Sequence, residues 1–205
     1  MKLVDDQIGR VLEALEATGR ADNTIVVFLA DHGDMAGGHG MVWKSTASFY
    51  DEVARVPLIL RYPSQIQPQE SHIAVGLTDV MPTLLDLAGH PIPNHIEGNS
   101  LKTYLSGTAH SLEAPRYAFS ERIPPSQDRT RDLSSDTQGS FMIRGSGWKY
   151  IVYPDEQEFL YDLETNPGET LNLADLPSAR SQKTELRERL RTWLVSTNYR
   201  GKHGL

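Results

Sequence analysis

Asp31, His32, Gly33 and Asp34 follow one another at the end of an apolar run, and a glycine-rich stretch then carries His39 and Lys44. Carboxylate oxygen and imidazole nitrogen are both competent ligands for a hard or borderline divalent cation. A lysine some twelve residues further on can return to the same place as a point charge for an anionic oxygen. The residue types therefore suggest a metal-assisted site that handles an anionic group. They also admit a plainer role, with Asp31 capping a turn and the glycines bending the chain, because two adjacent ligands do not complete a coordination sphere.

The elements that must position these residues are legible around them. The run Thr24–Ala30 (TIVVFLA) is too short for a helix and reads as a strand buried on both faces, as in a parallel sheet flanked by helices. Ligands of open α/β sheets collect beyond the carboxyl ends of such strands, which is where Asp31 and His32 fall. Before it, Leu3, Val4, Ile8, Val11, Leu12 and Leu15 make the stripe of an amphipathic helix that Gly19 stops. After it, Val56–Pro63 predicts a second strand. A helix follows with Leu77, Val80, Met81, Leu84, Leu85 and Ala88 on one face, Thr78 or Asp79 near its cap and Gly89 at its end. A short helix capped by Asn99 or Ser100 comes next.

Residues 124–140 are polar, Pro- and Ser-rich and aperiodic, and predict an exposed loop. Beyond it, FMIR, WKYIVY and EFLYDL predict an antiparallel meander, with a terminal helix laying Leu186, Leu190, Trp193 and Leu194 upon it. The tail from Thr197 is expected to fray. The division expected is 1–123 as part of an α/β domain, 124–140 as loop and 141–205 as a small antiparallel subdomain. His72, His90 and His95 sit in polar or Pro-rich connections and read as solvent-facing, and the RERLR run reads as a solvated helix face.

Composition narrows the function classes. Twenty Lys and Arg against 27 Asp and Glu give a net charge of −7, which offers nothing to nucleic acid. No apolar run is long enough to cross a bilayer. There is no cysteine, hence no disulfide, thiolate ligand or cysteine nucleophile in these 205 residues.

The segment NTIVVFLADHGDMAGGHGMVWKSTASFYDEVARVPLIL resembles the C-terminal signature of the sulfatase family, in the alkaline phosphatase superfamily. VGLTDVMPTLLDLAGHPIP is similar to that family's next helix, FLYDLETNPGETLNLA to its closing strand and turn, and the opening helix to the one before the signature strand. The resemblance implies an alkaline-phosphatase-like parallel or mixed sheet flanked by helices, here partial, followed by a small antiparallel sheet with a packing helix. It implies Asp31 and His32 as metal ligands, Lys44 on the sulfate and leaving oxygen, His39 as a further substrate-loop residue, and a structural salt bridge for Arg55. The metal implied is calcium first, with magnesium, manganese or zinc as alternatives, because imidazole suits manganese or zinc better than calcium.

The family's nucleophile is a formylglycine made from a Cys/Ser-x-Pro-x-Arg motif, and no such motif occurs here. The chain is thus expected to correspond to the C-terminal portion of a sulfatase without the nucleophile-bearing part. By itself it is expected to bind metal weakly and to hydrolyse aryl sulfates negligibly. The partner implied is a sulfate-ester small molecule or glycan. An Asp-His pair also resembles the phosphonate and phosphodiester hydrolases of the superfamily. A non-catalytic remnant acting as an interaction module, self-associating through an exposed sheet edge, is the alternative of another class.

Overall fold

The computed structural model describes residues 2–44, 48–107, 116–122, 139–145, 147–154 and 156–197. Helix α1 spans Lys2–Ala17 and ends before Gly19, whose φ of 67° is the left-handed stop that the sequence suggests. Its apolar stripe is not covered: Leu3 is 73% exposed, Val4 59% and Val11 67%.

Strand β1 (Val26–Leu29) pairs antiparallel with β2 (Leu58–Arg61), Val27 opposite Leu60 and Leu29 opposite Leu58. Burial of β1 on both faces, expected from its apolar run, is not what the described residues show. Val26 and Val27 are half-buried, and Phe28 and Leu29 are about 40% exposed. A parallel partner needs a long crossover. Between β1 and β2 the described residues instead form a glycine-rich loop and a single helical turn, α2 (Asp51–Ala54).

Asp79 stands just before helix α3 (Val80–Leu87), where the sequence places the cap, but its carboxylate reaches back to accept the Gly76 N–H at 3.1 Å and caps no N–H of the helix itself. Its buried face, however, is Pro82, Thr83 and Leu87, whereas Leu77 and Met81 of the predicted stripe are exposed. Polar pairing turns the helix this way. The Thr83 hydroxyl donates to the Asp79 carbonyl at 2.6 Å and accepts the Leu101 N–H at 2.9 Å, and the Asp79 carboxylate pairs with Arg116 at 2.8 Å. The turn α4 (Lys102–Leu105) follows, with the Ser100 hydroxyl accepting the Lys102 N–H at 3.2 Å.

The meander is present and has one more strand than the sequence announced. β3 (Ala118–Arg122), β4 (Ser140–Arg144), β5 (Trp148–Val152) and β6 (Glu158–Asp162) form an antiparallel sheet in chain order. Of the predicted loop, residues 124–138 lie outside the described residues, and Ser140 is already a buried residue of β4. Helix α5 (Arg180–Ser196) packs Leu186, Leu190 and Leu194 on Phe141, Ile143, Tyr150 and Leu160. Trp193 stacks on Phe119 with ring centroids 4.7 Å apart. Of the tail, Thr197 is buried and the rest lies outside the described residues. Side chains alternate across a sheet, so Met142, Ile151 and Tyr161 face the other way. There they close on Phe49, at the threshold of α2. The small sheet thus has α5 on one face and the segment following the glycine-rich loop on the other.

Candidate functional site

β1 ends at Leu29 and delivers Asp31 and His32 directly beyond it. The Asp31 Oδ1 accepts the backbone N–H of His32 at 2.9 Å, which fixes the carboxylate beside the imidazole. That N–H above all, with the Lys44 charge, holds the Asp31 carboxyl below its ordinary range. Asp31 is 86% exposed in its side chain and stays ionised without burial.

The His32 Nδ1 stands 2.9 Å from the Gly33 carbonyl oxygen. A carbonyl can only accept, so this contact assigns the proton to Nδ1 and leaves the lone pair on Nε2. Two groups face that lone pair: the Lys44 Nζ at 2.6 Å and the Asp31 Oδ2 at 3.6 Å. Three of the four residues singled out in the sequence are therefore gathered at one point.

Lys44 is brought back by the loop's own bonding. Gly37 N–H donates to Met41 O at 2.8 Å and Ala36 N–H to Val42 O at 3.2 Å, folding the loop on itself. The Asp34 Oδ1 then accepts the Lys44 N–H at 3.0 Å. Met35 anchors the loop in the interior, while Val42 and Trp43 at its far end are exposed. Asp34 is thus a positioning residue whose role the spacing did not reveal.

The other wall is α2. Gly33 N–H donates to Val53 O at 2.9 Å, and the approach is so close that a Cβ on Gly33 would lie 2.0 Å from the Glu52 carbonyl oxygen. Only glycine fits. His39 belongs to this wall and does not join the other three among the described residues. It has φ 51°, stacks on Tyr50 at 3.6 Å between centroids, and its Nε2 lies 3.9 Å from Glu52 Oε1. Arg55 makes the ion pair suggested for it, a long and exposed one, 4.0 Å from Asp51. His72, His90 and His95 are solvent-exposed.

Behind α2 lies a buried charge cluster that the sequence reading missed. Lys149, in the middle of β5, is fully buried, and its Nζ reaches Asp51 Oδ1 at 2.6 Å, Glu169 Oε1 at 2.7 Å and Phe49 O at 2.9 Å. The available signal was a lone lysine inside an otherwise apolar strand, WKYIV, where it cannot reach water.

An open cleft of about 1200 Å³ runs from Asp31 and His32 past Arg55 and Arg144 to Phe119 and Tyr104. Among the described residues no three His, Asp or Glu side chains converge to hold a metal ion. Asp31 and His32 fit part of such a shell, an ionised oxygen and an imidazole lone pair 3.6 Å apart, and it is the Lys44 Nζ, 2.6 Å from Nε2, that a cation would have to displace.

A sequence model of the Sulfatase family matches residues 1–90. The chain is 38% identical over 180 residues to a Δ4,5-hexuronate-2-O-sulfatase of Bacteroides thetaiotaomicron, covering 86% of this chain and 36% of that protein. Among solved structures it superposes on a 2-O GAG sulfatase with a TM-score of 0.79 at 34% identity, over 98% of this chain and 42% of the other. It also superposes on the phosphonate monoester hydrolase of Agrobacterium radiobacter, with a TM-score of 0.77 at 27% identity, over 95% and 39%. The chain spans about a third of the length of the curated relatives it matches.

Proposed function

Because the chain belongs to the sulfatase family of the alkaline phosphatase superfamily and corresponds to the C-terminal part of its relatives, we propose that it supplies one wall of the active site of a metal-dependent sulfuric ester hydrolase. The observation that carries this reading is the convergence of Asp31, His32 and Lys44 at the end of β1. Asp31 and His32 would hold a divalent cation, calcium first and manganese, magnesium or zinc as alternatives, which when bound supplies Lewis-acid neutralisation of a sulfate oxygen.

The chain's own residues do the rest of the work assigned to this wall. The Gly33 carbonyl keeps the His32 proton on Nδ1, so that Nε2 keeps its lone pair, which Lys44 Nζ meets at 2.6 Å and which a bound cation would take in its place. Lys44, held by Asp34 through its backbone N–H, places a fixed positive charge where the sulfate and the departing alkoxide gather negative charge. His39 shapes the loop through Tyr50 and Glu52 and reaches substrate only through that loop. The nucleophile is none of these 205 residues, since they include no cysteine and no Ser-x-Pro-x-Arg motif. Residues 1–123 then continue the α/β domain and 141–205 form the small subdomain, with β3 (Ala118–Arg122) reaching across that division to pair with β4. A sulfated sugar is the substrate class favoured, because the relatives' names carry hexuronate, N-acetylglucosamine and GAG sulfates.

A second reading, phosphonate or phosphodiester hydrolysis, is favoured by the likeness to a phosphonate monoester hydrolase together with the Asp-His pair. A chimaera in which these residues replace the matching part of the Bacteroides hexuronate-2-O-sulfatase tests both. Metal-dependent release of sulfate from 4-nitrophenyl sulfate is expected, falling roughly 100-fold or more in Lys44→Ala. Unchanged turnover in Lys44→Ala would sink the assignment, and faster cleavage of a phosphonate monoester than of the sulfate would select the second reading.

A further inference from the structure

The charge cluster behind α2 is joined to the ligand pair by an unbroken set of bonds. Lys149 Nζ donates to Phe49 O and Asp51 Oδ1 and forms an ion pair with Glu169 Oε1 at 2.7 Å, and Glu169 Oε2 accepts the Asp51 N–H at 2.6 Å. Arg144 Nη2 lies 3.2 Å from the other Asp51 oxygen. The first residue of α2 is therefore held by its side chain and its backbone at once, from β4, β5 and the turn after β6. Two residues later, Val53 O accepts the Gly33 N–H, and Gly33 O accepts from His32 Nδ1.

We infer that the Asp51–Lys149–Glu169 clasp is a positioning device for the Asp31–His32–Lys44 cluster, so that the small antiparallel sheet sets the geometry of a site to which it contributes none of those residues. The charges of the clasp balance, with Lys149 and Arg144 opposite Asp51 and Glu169, as buried ions require. Apolar packing of Phe49 on Met142 and Ile151 alone would leave α2 free to slide along the sheet. A lysine with two fixed acceptors and an ion-pair partner is directional and specifies one placement. α2 is too short to hold itself in place, and it carries both contacts that fix the loop: Val53 O on Gly33 and Glu52 on His39.

The inference rests on reading Asp31, His32 and Lys44 as the site, but its test does not use activity. Solution NMR of the full 205-residue chain would record the coupling across the Gly33 N–H···O=C Val53 bond and the amide shifts of His32, Gly33 and Lys44. Lys149→Met and Glu169→Gln are the variants, and the Leu186 and Leu190 amides of α5 serve as control. Glu169→Gln keeps the side chain's shape and both Lys149 hydrogen-bond acceptors, and is the variant to read if Lys149→Met does not fold. Expected is a coupling weakened by about twofold or more, since hydrogen bonds weaken steeply with misalignment, with the three site amides displaced and α5 unmoved. An unchanged Gly33 coupling in a folded variant, or equal displacement of α5 and site amides, would overturn the inference. A chimaera that releases no sulfate while Gly33 responds would instead remove the functional reading and leave the clasp standing.

Discussion

Replacing Lys149 by methionine isolates the electrostatic part of the clasp, because the flexible thioether fills nearly the same volume and removes only the charge and its bonds. Two hydrogen bonds and the ion pair with Glu169 are lost, all from a fully buried ammonium. Asp51 keeps Arg144 at 3.2 Å, so the group left without a cation is chiefly Glu169, whose side chain is 1% exposed. Removing one partner of a buried pair costs about 3–5 kcal/mol, a large share of the roughly 5–15 kcal/mol that holds a domain together.

The cost depends on pH in a definite direction. Burial pushes the Glu169 carboxyl above its ordinary value of 4.5, and the Lys149 charge is the strongest influence opposing it. Without Lys149 the carboxyl rises further. A carboxyl whose folded pKa exceeds its unfolded value takes up a proton on folding, so its contribution is intact below pH 4.5 and is lost as pH rises through the folded value. The deficit of Lys149→Met should therefore grow with pH above 4.5, by at most about 3 kcal/mol up to pH 7, the limit for one proton, on top of the pH-independent loss of the two Lys149 hydrogen bonds. Urea unfolding of both proteins, followed by circular dichroism across that range, measures it. A deficit independent of pH, or below about 1 kcal/mol at pH 7, would mean that Glu169 is solvated and that the clasp is not a buried ion pair.

The remaining expectations concern other parts of the chain. Gly33→Ala should lower stability by about 1–3 kcal/mol, visible as a fall in Tm, because its Cβ would meet backbone atoms of Glu52 that cannot rotate away; an unchanged Tm would refute the close approach. In Tyr150→Phe the hydroxyl that donates to Glu158 at 2.5 Å is lost while Lys183 stays at 3.0 Å, so the expected cost is about 1–2 kcal/mol. Burial pushes the Glu158 carboxyl up, but Tyr150, Lys183 and Arg187 outweigh it and hold it below 4.5, so its stabilisation is present above that pH and lost on acidification; Tyr150→Phe should narrow this acid loss. The bare stripe of α1 should make the isolated chain self-associate with concentration, and Val4→Glu with Val11→Glu should reduce this in light scattering. Identical scattering from the double variant would place the contact elsewhere.

What was legible in the sequence follows from which forces act locally. Strand identity, the stop at Gly19, the α5 stripe and the strand-end placement of Asp31 and His32 are all set by side-chain period and by backbone permissions within a few residues. The face of α3 was misjudged because Thr83 and Asp79 are partnered by Leu101 and Arg116, respectively 18 and 37 residues away, and their bonds outweigh a surplus of apolar residues on the opposite side. β3 was missed because Ala118–Arg122 has no strong alternation of its own and is recruited as an edge by β4. The clasp was invisible for the same reason: Asp51 and Lys149 stand 98 residues apart, and nothing in FYDEV announces a buried carboxylate. His39 shows the converse limit. Its glycine neighbours predict a turn correctly, yet whether the ring faces an anion or a tyrosine depends on α2, and α2 is held from the small sheet. Chemistry-bearing residues are therefore readable where a strand end delivers them, and unreadable where another element has to hold them in place.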